Sequence, residues 1–427
     1  MRFAFLVHPL SERSRMLRRW DSAGGLRRSW GGDPLEFCSF LYRQVSHSEA
    51  SPEEPRVEVI DELRDLRSRT GATAEGRLYE IPLDPEAILA DPVAAMAYIE
   101  QATQMAADWG AQVVGLGSIT GVIGGQGTYL AERAPIAVTT GNSLTVFATL
   151  QNLYHVCEEA HVDLSRETVA VVGIPGSIAS AVARLLAPQC SELILVGRRK
   201  SSRAEQLAAE VGGELLFDIP TALTRARVVV SATSTGNCIE QQWLQPGSIV
   251  VDVGVPTDVC GATLERSDCL IISGGLARVP DTMPLDSMFL GFHHGVLPCC
   301  LGETMVLGLE NRAESFSLGR NLDIDNVMEI GACAKEHGFD FTRLYSFGLE
   351  LPDAALVQFN KALARSRRTG KLLPSKSAAN GRPDGEHIAV TDHKTAAAGA
   401  LESIQDLAVQ AARLHARYIN PVLVTLT

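Results

Sequence analysis

From Glu167 to Ile272 the chain carries short apolar runs at Val169–Val172, Leu193–Val196, Leu215–Phe217, Val228–Val230, Ile249–Val253 and Leu270–Ile272. They alternate with helical or turn segments. Alternation of this kind restricts the fold to a parallel sheet with helices on both faces. The first run ends in Gly173-Ile174-Pro175-Gly176-Ser177-Ile178-Ala179, which opens a helix. The glycines permit a tight turn and let a pyrophosphate approach backbone N–H groups at the helix start, while the small Ala179 allows close helix packing. Strand, loop, helix and second strand fall in register, so the turn reads as a dinucleotide site centred on Gly173, Gly176, Ser177 and Ile178.

The second run ends in Gly197-Arg198-Arg199-Lys200, where an NAD site usually carries Asp or Glu for the ribose hydroxyls. Guanidinium groups at Arg198 and Arg199 suit a 2′-phosphate, so the expected cofactor is NADPH; the alternative is an ordinary basic loop. Ser231-Ala-Thr233-Ser234 and Asp252-Val-Gly254-Val-Pro256 lie at strand ends where ligands bind. Ser231, Thr233 and Gly254 are expected to wall the nicotinamide side, not to act as catalysts.

Residues 1–150 begin with a strand at Phe3–Val7 and are Arg-rich and polar to about residue 80. Pro85–Trp109 has helical apolar spacing that Pro92 breaks or restarts. Val113–Gly117 and Ile136–Thr139 read as short strands, the second followed by Thr140-Gly141-Asn142-Ser143 and a helix over Leu144–Ala160. Helices resume at Cys300–Asn311 and Ile324–His337. Arg365–Lys394 has the composition of a mobile linker, and Ala396–Ala416 reads as a helix that packs on the body or pairs with a second subunit. The expected fold is α/β: a doubly wound parallel (Rossmann) sheet preceded by an α/β substrate domain and followed by a helical C-terminal region. The boundaries are a substrate domain at 1–150, an NADPH-binding domain at 151–290, a helical segment with the reactive cysteine at 291–345, and an extension at 346–427.

Composition narrows the setting. At 427 residues, 46% hydrophobic and 21% charged, the chain is of ordinary globular type. A net charge of −12 speaks against nucleic acid as the main partner. Arg13, Arg15, Arg18, Arg19, Arg27 and Arg28 form the densest basic cluster, suited either to an acidic carrier protein or phosphate, or to a solvated helix face. Nine scattered cysteines point to reduced thiols and a cytoplasmic setting, and no ligand spacing points to a structural metal. No apolar stretch approaches the roughly 18 residues of a membrane span.

Leu297-Pro298-Cys299-Cys300-Leu301-Gly302-Glu303 places a thiol at a helix start. Unsatisfied N–H groups and the helix dipole there are expected to lower its pKa. Cys300 and Glu303 share a helix face, so Glu303 is suited to accept the thiol proton, to orient the thiol, or merely to cap the helix. Ser118, Thr120, Thr140 and Asn142, with the backbone N–H groups at Cys300, are candidate donors to an oxyanion; for each side chain the alternative is a local loop or cap bond.

From about Arg77 to Phe339 the chain resembles the long-chain acyl-acyl carrier protein reductases of cyanobacteria. The resemblance rests on Thr139-Thr140-Gly141-Asn142, Thr168–Gly173, Leu193-Ile-Leu with Arg198, and Gly274-Gly275. It continues through Cys300 with Glu303 and Met305, then Phe316-Ser-Leu-Gly-Arg320-Asn321, Met328–Gly331 and His337-Gly-Phe339. It implies NADPH-dependent reduction of an acyl thioester, on acyl carrier protein or CoA, to an aldehyde through an acyl-cysteine at Cys300. Cys299 falls where the family has a small residue. Pro175, Ala179, His293 and His294 depart from the pattern, residues 11–75 match poorly, and the chain beyond 345 is additional. An aldehyde-consuming enzyme and a second copy of the chain are the further partners envisaged.

Two other functions compete. A dehydrogenase of shikimate type would use a substrate-domain Lys with Asp, but the first Lys of this chain is Lys200, inside the nucleotide domain. A non-catalytic NADPH-sensing protein would account for the tail but leaves Cys300 and Glu303 without a role.

Overall fold

The computed structural model describes residues 1–8, 55–261, 266, 268–283, 285, 295–347, 349–351 and 353–369. Residues 365–369, expected to open a mobile linker, lie instead in the helix that runs to Thr369. The basic cluster at Arg13–Arg28, His293 and His294, the rest of the expected linker and the helix expected at Ala396–Ala416 lie outside the described residues.

The chain opens with β1 (Arg2–Val7), β2 (Glu58–Arg67) and β3 (Thr73–Glu80), then α1 (Pro85–Ala90) and α2 (Pro92–Trp109). Pro92 restarts the helix: Asp84 and Asp91 accept from the N–H groups of Ala87 and Ala94, and each helix has proline in its first turn. Next come β4 (Val113–Leu116), α3 (Thr128–Ala131), β5 (Ala137–Thr139) and α4 (Asn142–Glu159). The five strands form one sheet in the order β2-β3-β1-β4-β5, parallel except where β2 runs against β3. Sequence reading missed β2 and β3. Only Leu63 and Leu66 of β2 are buried, its pairing is twice irregular, and charges fill every remaining position but Val59 and Ile60. A charged, irregular edge strand discourages pairing with other chains and leaves little apolar alternation to read.

The second sheet comprises β6 (Thr168–Ile174), β7 (Glu192–Gly197), β8 (Glu214–Leu216), β9 (Val228–Ser231), β10 (Ile249–Asp252) and β11 (Leu270–Ser273). Helices α5 (Ser177–Leu186), α6 (Ser202–Val211) and α7 (Ile219–Leu223) connect its first four strands. Every pairing is parallel and the order is β11-β10-β9-β6-β7-β8. The order reverses between β6 and β9, which opens a ligand crevice at their carboxyl ends. This is the expected doubly wound sheet.

Beyond it, β12 (Leu276–Arg278) pairs antiparallel with β13 (Val296–Pro298), which runs straight into α8 (Cys299–Leu309). After α9 (Ile324–His337), the short pair β14 (Tyr345–Ser346) and β15 (Leu349–Glu350) leads to α10 (Asp353–Thr369). Helix α8 returns to the first sheet. Phe3, Phe5, Val7, Leu78 and Val113 on one face of that sheet share a core with Leu301, Met305 and Leu309 of α8. Ala4, Leu6, Val114 and Leu116 face the opposite way, against Ile99, Ala102 and Ala106 of α2. Helix α4 packs on α8, α9 and α5, and so joins the two sheets. No helix among the described residues is long and apolar enough to cross a membrane.

Candidate active site

Cys300 is the second residue of α8. Pro298 caps the helix with no side-chain hydrogen bond, so the first N–H groups remain available. The N–H groups of Cys300, Leu301 and Ser118 face the Cys300 sulfur and lower its pKa, but burial outweighs them and Glu303 adds to the rise, leaving the thiol at about 11. The expected lowering is therefore reversed: loss of water around the sulfur costs the thiolate more than three N–H dipoles return. Cys299 points into the core, fully buried, with its N–H donating to Gly275 O at 2.8 Å. Burial pushes its thiol well up, while Cys300 stays half-buried.

The β5–α4 junction presses against Cys300. Gly141 has φ +71°, and a Cβ there would lie 2.2 Å from Cys300 Cα and 2.6 Å from its Cβ and O. Only glycine fits this approach. Thr140 Oγ1 donates to Ser317 O at 2.5 Å, and Ser143 N donates to Ser317 Oγ at 3.1 Å. Asn142 Nδ2 reaches in the other direction, donating to Ser177 Oγ at 3.2 Å. Ser177 is the first residue of α5, on the glycine turn. One hydrogen bond thus separates the thiol's nearest neighbours from the dinucleotide turn.

Glu303 is 0% exposed and does not spend its oxygens on the thiol. It accepts from Thr139 Oγ1 in a short bond and from Leu144 N at 2.9 Å. The carboxylate therefore caps the start of α4, not of its own helix, and ties β5, α4 and α8 together. Burial raises its pKa and these donors oppose the rise.

At the dinucleotide turn, Gly173 has φ +112° and a Cβ there would lie 2.3 Å from Ala232 O across the crevice. Gly176 N donates to Gly173 O at 2.8 Å and closes the turn. Helix α5 has Gly176 as its cap and no side-chain capping bond, which leaves the N–H groups of Ser177 and Ile178 for an anion. Arg198 and Arg199 are exposed just past β7. Arg203, in the first turn of α6, adds a half-buried guanidinium and donates to Asn321 Oδ1 at 3.3 Å. Its pKa is lowered by burial and by Arg320.

Asp258, which no spacing in the sequence singled out, arranges the opposite wall. It accepts from Ser231 Oγ at 2.6 Å, from Thr233 N at 2.8 Å and from Thr233 Oγ1 in a short bond. Gly254 packs so closely that a Cβ would lie 2.6 Å from Asp258 Cγ. Asp252 accepts from the N–H groups of Gly254, Asp258 and Val259, while burial and the neighbouring Asp258 push its pKa up to about 7. Ser231, Thr233 and Gly254 thus stand together at the crevice.

Residues 155–272 match the family model described as shikimate / quinate 5-dehydrogenase. Over 304 residues the chain is 36% identical to aminotransferase PigE of a Serratia species, covering 69% of this chain and 36% of that protein. It therefore spans little more than a third of that relative. It is 27% identical over 301 residues to long-chain acyl-[acyl-carrier-protein] reductase of Synechococcus elongatus, covering 66% of this chain and 86% of that one. A stretch of 84 residues, 19% of this chain and 21% of the relative, is 42% identical to glutamyl-tRNA reductase of Methanothermobacter marburgensis. The family match ends before Cys300. With the strand order and the glycine turn, it identifies the second sheet as an NAD(P)H-binding sheet.

Proposed function

We propose that the protein reduces an acyl thioester to an aldehyde with NADPH, through an acyl group held on Cys300. The observation that carries this reading is the chain of contacts Cys300–Gly141–Asn142–Ser177, which sets a half-buried thiol beside the dinucleotide turn. When bound, NADPH supplies the hydride. Gly173, Gly176, Ser177 and Ile178 would hold its pyrophosphate, Arg198 and Arg199, with Arg203 near, its 2′-phosphate, and Ser231, Thr233 and Gly254 its nicotinamide side.

Cys300 attacks the thioester carbonyl, and the carrier thiol leaves with the proton that Cys300 gives up. This exchange is neutral overall, although the attacking form is the thiolate. The acyl-cysteine then accepts hydride at its carbonyl carbon, and collapse of the resulting thiohemiacetal frees the aldehyde and returns Cys300. Glu303 acts here as a positioning residue: its bonds to Thr139 and Leu144 hold α8 against α4, so the thiol keeps its place. Thr140 and Asn142 shape the cleft from its floor, their donors engaged with Ser317 and Ser177.

The thioester would arrive on acyl carrier protein or CoA, and similarity to an acyl-[acyl-carrier-protein] reductase over 86% of that enzyme favours the former. The aldehyde would pass to a consuming enzyme, and a transaminase is one class that takes such a carbonyl. The test is to incubate the protein with acyl carrier protein or CoA thioesters without NADPH and measure intact mass. An adduct present in Cys299→Ala and lost in Cys300→Ala supports the reading, as does aldehyde release with NADPH in preference to NADH. No adduct on the unaltered protein from either carrier sinks it.

A further inference from the structure

Among the described residues, five polar side chains near Cys300 have their donors committed. Thr120 Oγ1 donates to Gly117 O, Thr140 Oγ1 to Ser317 O, Thr139 Oγ1 to Glu303, Thr304 Oγ1 to Cys300 O and Asn142 Nδ2 to Ser177. Ser118 Oγ is buried and has no hydrogen-bond partner among the described residues. A desolvated hydroxyl without a partner is costly and uncommon, and a role in catalysis is one explanation for such a group. Ser118 also holds a left-handed backbone at φ +51°, in the turn that follows β4. Its N–H faces the Cys300 sulfur. The residue therefore already touches the reacting atom through its backbone while its hydroxyl waits nearby.

We propose that Ser118 is a catalytic residue whose hydroxyl donates to the carbonyl oxygen of the acyl group. The proposal rests on the acyl-cysteine reading and assigns within it a donor that the surrounding scaffold leaves free. In the first stage the Cys300 S–C bond forms and the C=O π pair moves onto oxygen. The bond to the carrier sulfur then breaks, and that sulfur takes the thiol proton. In the second stage bound NADPH would supply a hydride, with its two electrons, to the same carbon and would itself be oxidised. The S–C bond to Cys300 then breaks, and its sulfur takes a proton from water. Both stages load negative charge on one oxygen, and a donor fixed in place before the charge appears stabilises it most.

Ser118→Ala removes only the hydroxyl. Ser118→Gly removes it too, but relieves the positive φ and keeps the N–H toward sulfur. Rates of acyl-adduct formation from an acyl-CoA, read by quenched intact mass, are compared with rates of Cys300 alkylation by iodoacetamide across pH. Both variants are expected to acylate about 10²-fold more slowly while alkylation follows the unaltered profile. Acylation of Ser118→Ala at the unaltered rate overturns the proposal. So does an equal fall in acylation and alkylation, which would mean that Ser118 only positions the thiol. If the unaltered protein is alkylated normally but never acylated, the acyl-cysteine reading itself has failed and this role falls with it.

Discussion

Gly141→Ala is a direct test of how the thiol is held. The added methyl would sit 2.2 Å from Cys300 Cα, whereas carbon atoms in contact stay about 3.5–4.0 Å apart. Something must therefore yield by about 1.3 Å. The nearest atoms belong to the backbone of α8, which is wedged between the first sheet and α4, so no flexible side-chain tip is free to swing aside. Overpacking of this kind costs about 1–3 kcal/mol, and a methyl at φ +71° adds about 1–2 kcal/mol. The combined loss is about 2–5 kcal/mol. A thiol displaced by about 1 Å should also acylate about 10²-fold more slowly. Gly212→Ala supplies the control: its φ is +66°, but nothing lies within 4 Å of the new methyl, so only the backbone cost applies. Urea midpoints and adduct rates of the two variants are compared. If Gly141→Ala unfolds with Gly212→Ala and acylates like the unaltered protein, the close approach of β5–α4 to Cys300 is wrong.

Other outcomes follow from the same geometry. Glu303→Ala leaves the Thr139 hydroxyl and the Leu144 N–H without a buried acceptor, at about 1–3 kcal/mol each, whereas Glu303→Gln keeps one acceptor and should lose less; urea titration ranks them. With the Cys300 thiol at about 11, the thiolate fraction rises with pH until that value is passed. Its alkylation rate should then climb about tenfold per unit beyond pH 9, where an ordinary thiol of pKa about 8.5 has levelled off. A plateau at 8.5 would contradict the burial argument. Gly173→Ala forces a methyl to 2.3 Å from Ala232 O, so NADPH binding, followed by its fluorescence, should be lost while Cys300 still takes an acyl group.

The second sheet was legible because parallel strands buried on both faces write themselves as unbroken runs of Val, Ile and Leu, as in Val169–Val172 and Ile249–Val251. Pro92 was legible as a break or a restart, and the structure shows a restart, with Asp91 capping the second helix. The β2–β3 hairpin was not, since its charged edge carries no such run. At the site, the sequence named the thiol and the carboxylate but misjudged what joins them. Spacing put Glu303 on the face of Cys300, yet its partners, Thr139 and Leu144, lie about 160 positions away in the chain, where spacing says nothing. The same applies to Ser317 and Asp258. The sign of the Cys300 shift also escaped, because a helix start is a local feature, whereas burial is decided by which segments cover it.

The return of α8 across the first sheet has a consequence for how the molecule comes to exist. Phe3, Phe5, Val7, Leu78 and Val113 are among the earlier parts of the chain to leave a ribosome, but their cover is supplied by residues 299–309. Among the described residues no earlier helix takes the place of α8 on that face, and a fragment ending near residue 150 would lack that cover and be prone to aggregate. A contiguous cut between the sheets therefore yields no independent thiol-bearing half. By the time Cys300 is threaded against Gly141, all six strands of the nucleotide sheet have already been made. The order of synthesis thus ensures that Cys300 is never set against Gly141 ahead of the nucleotide-binding sheet.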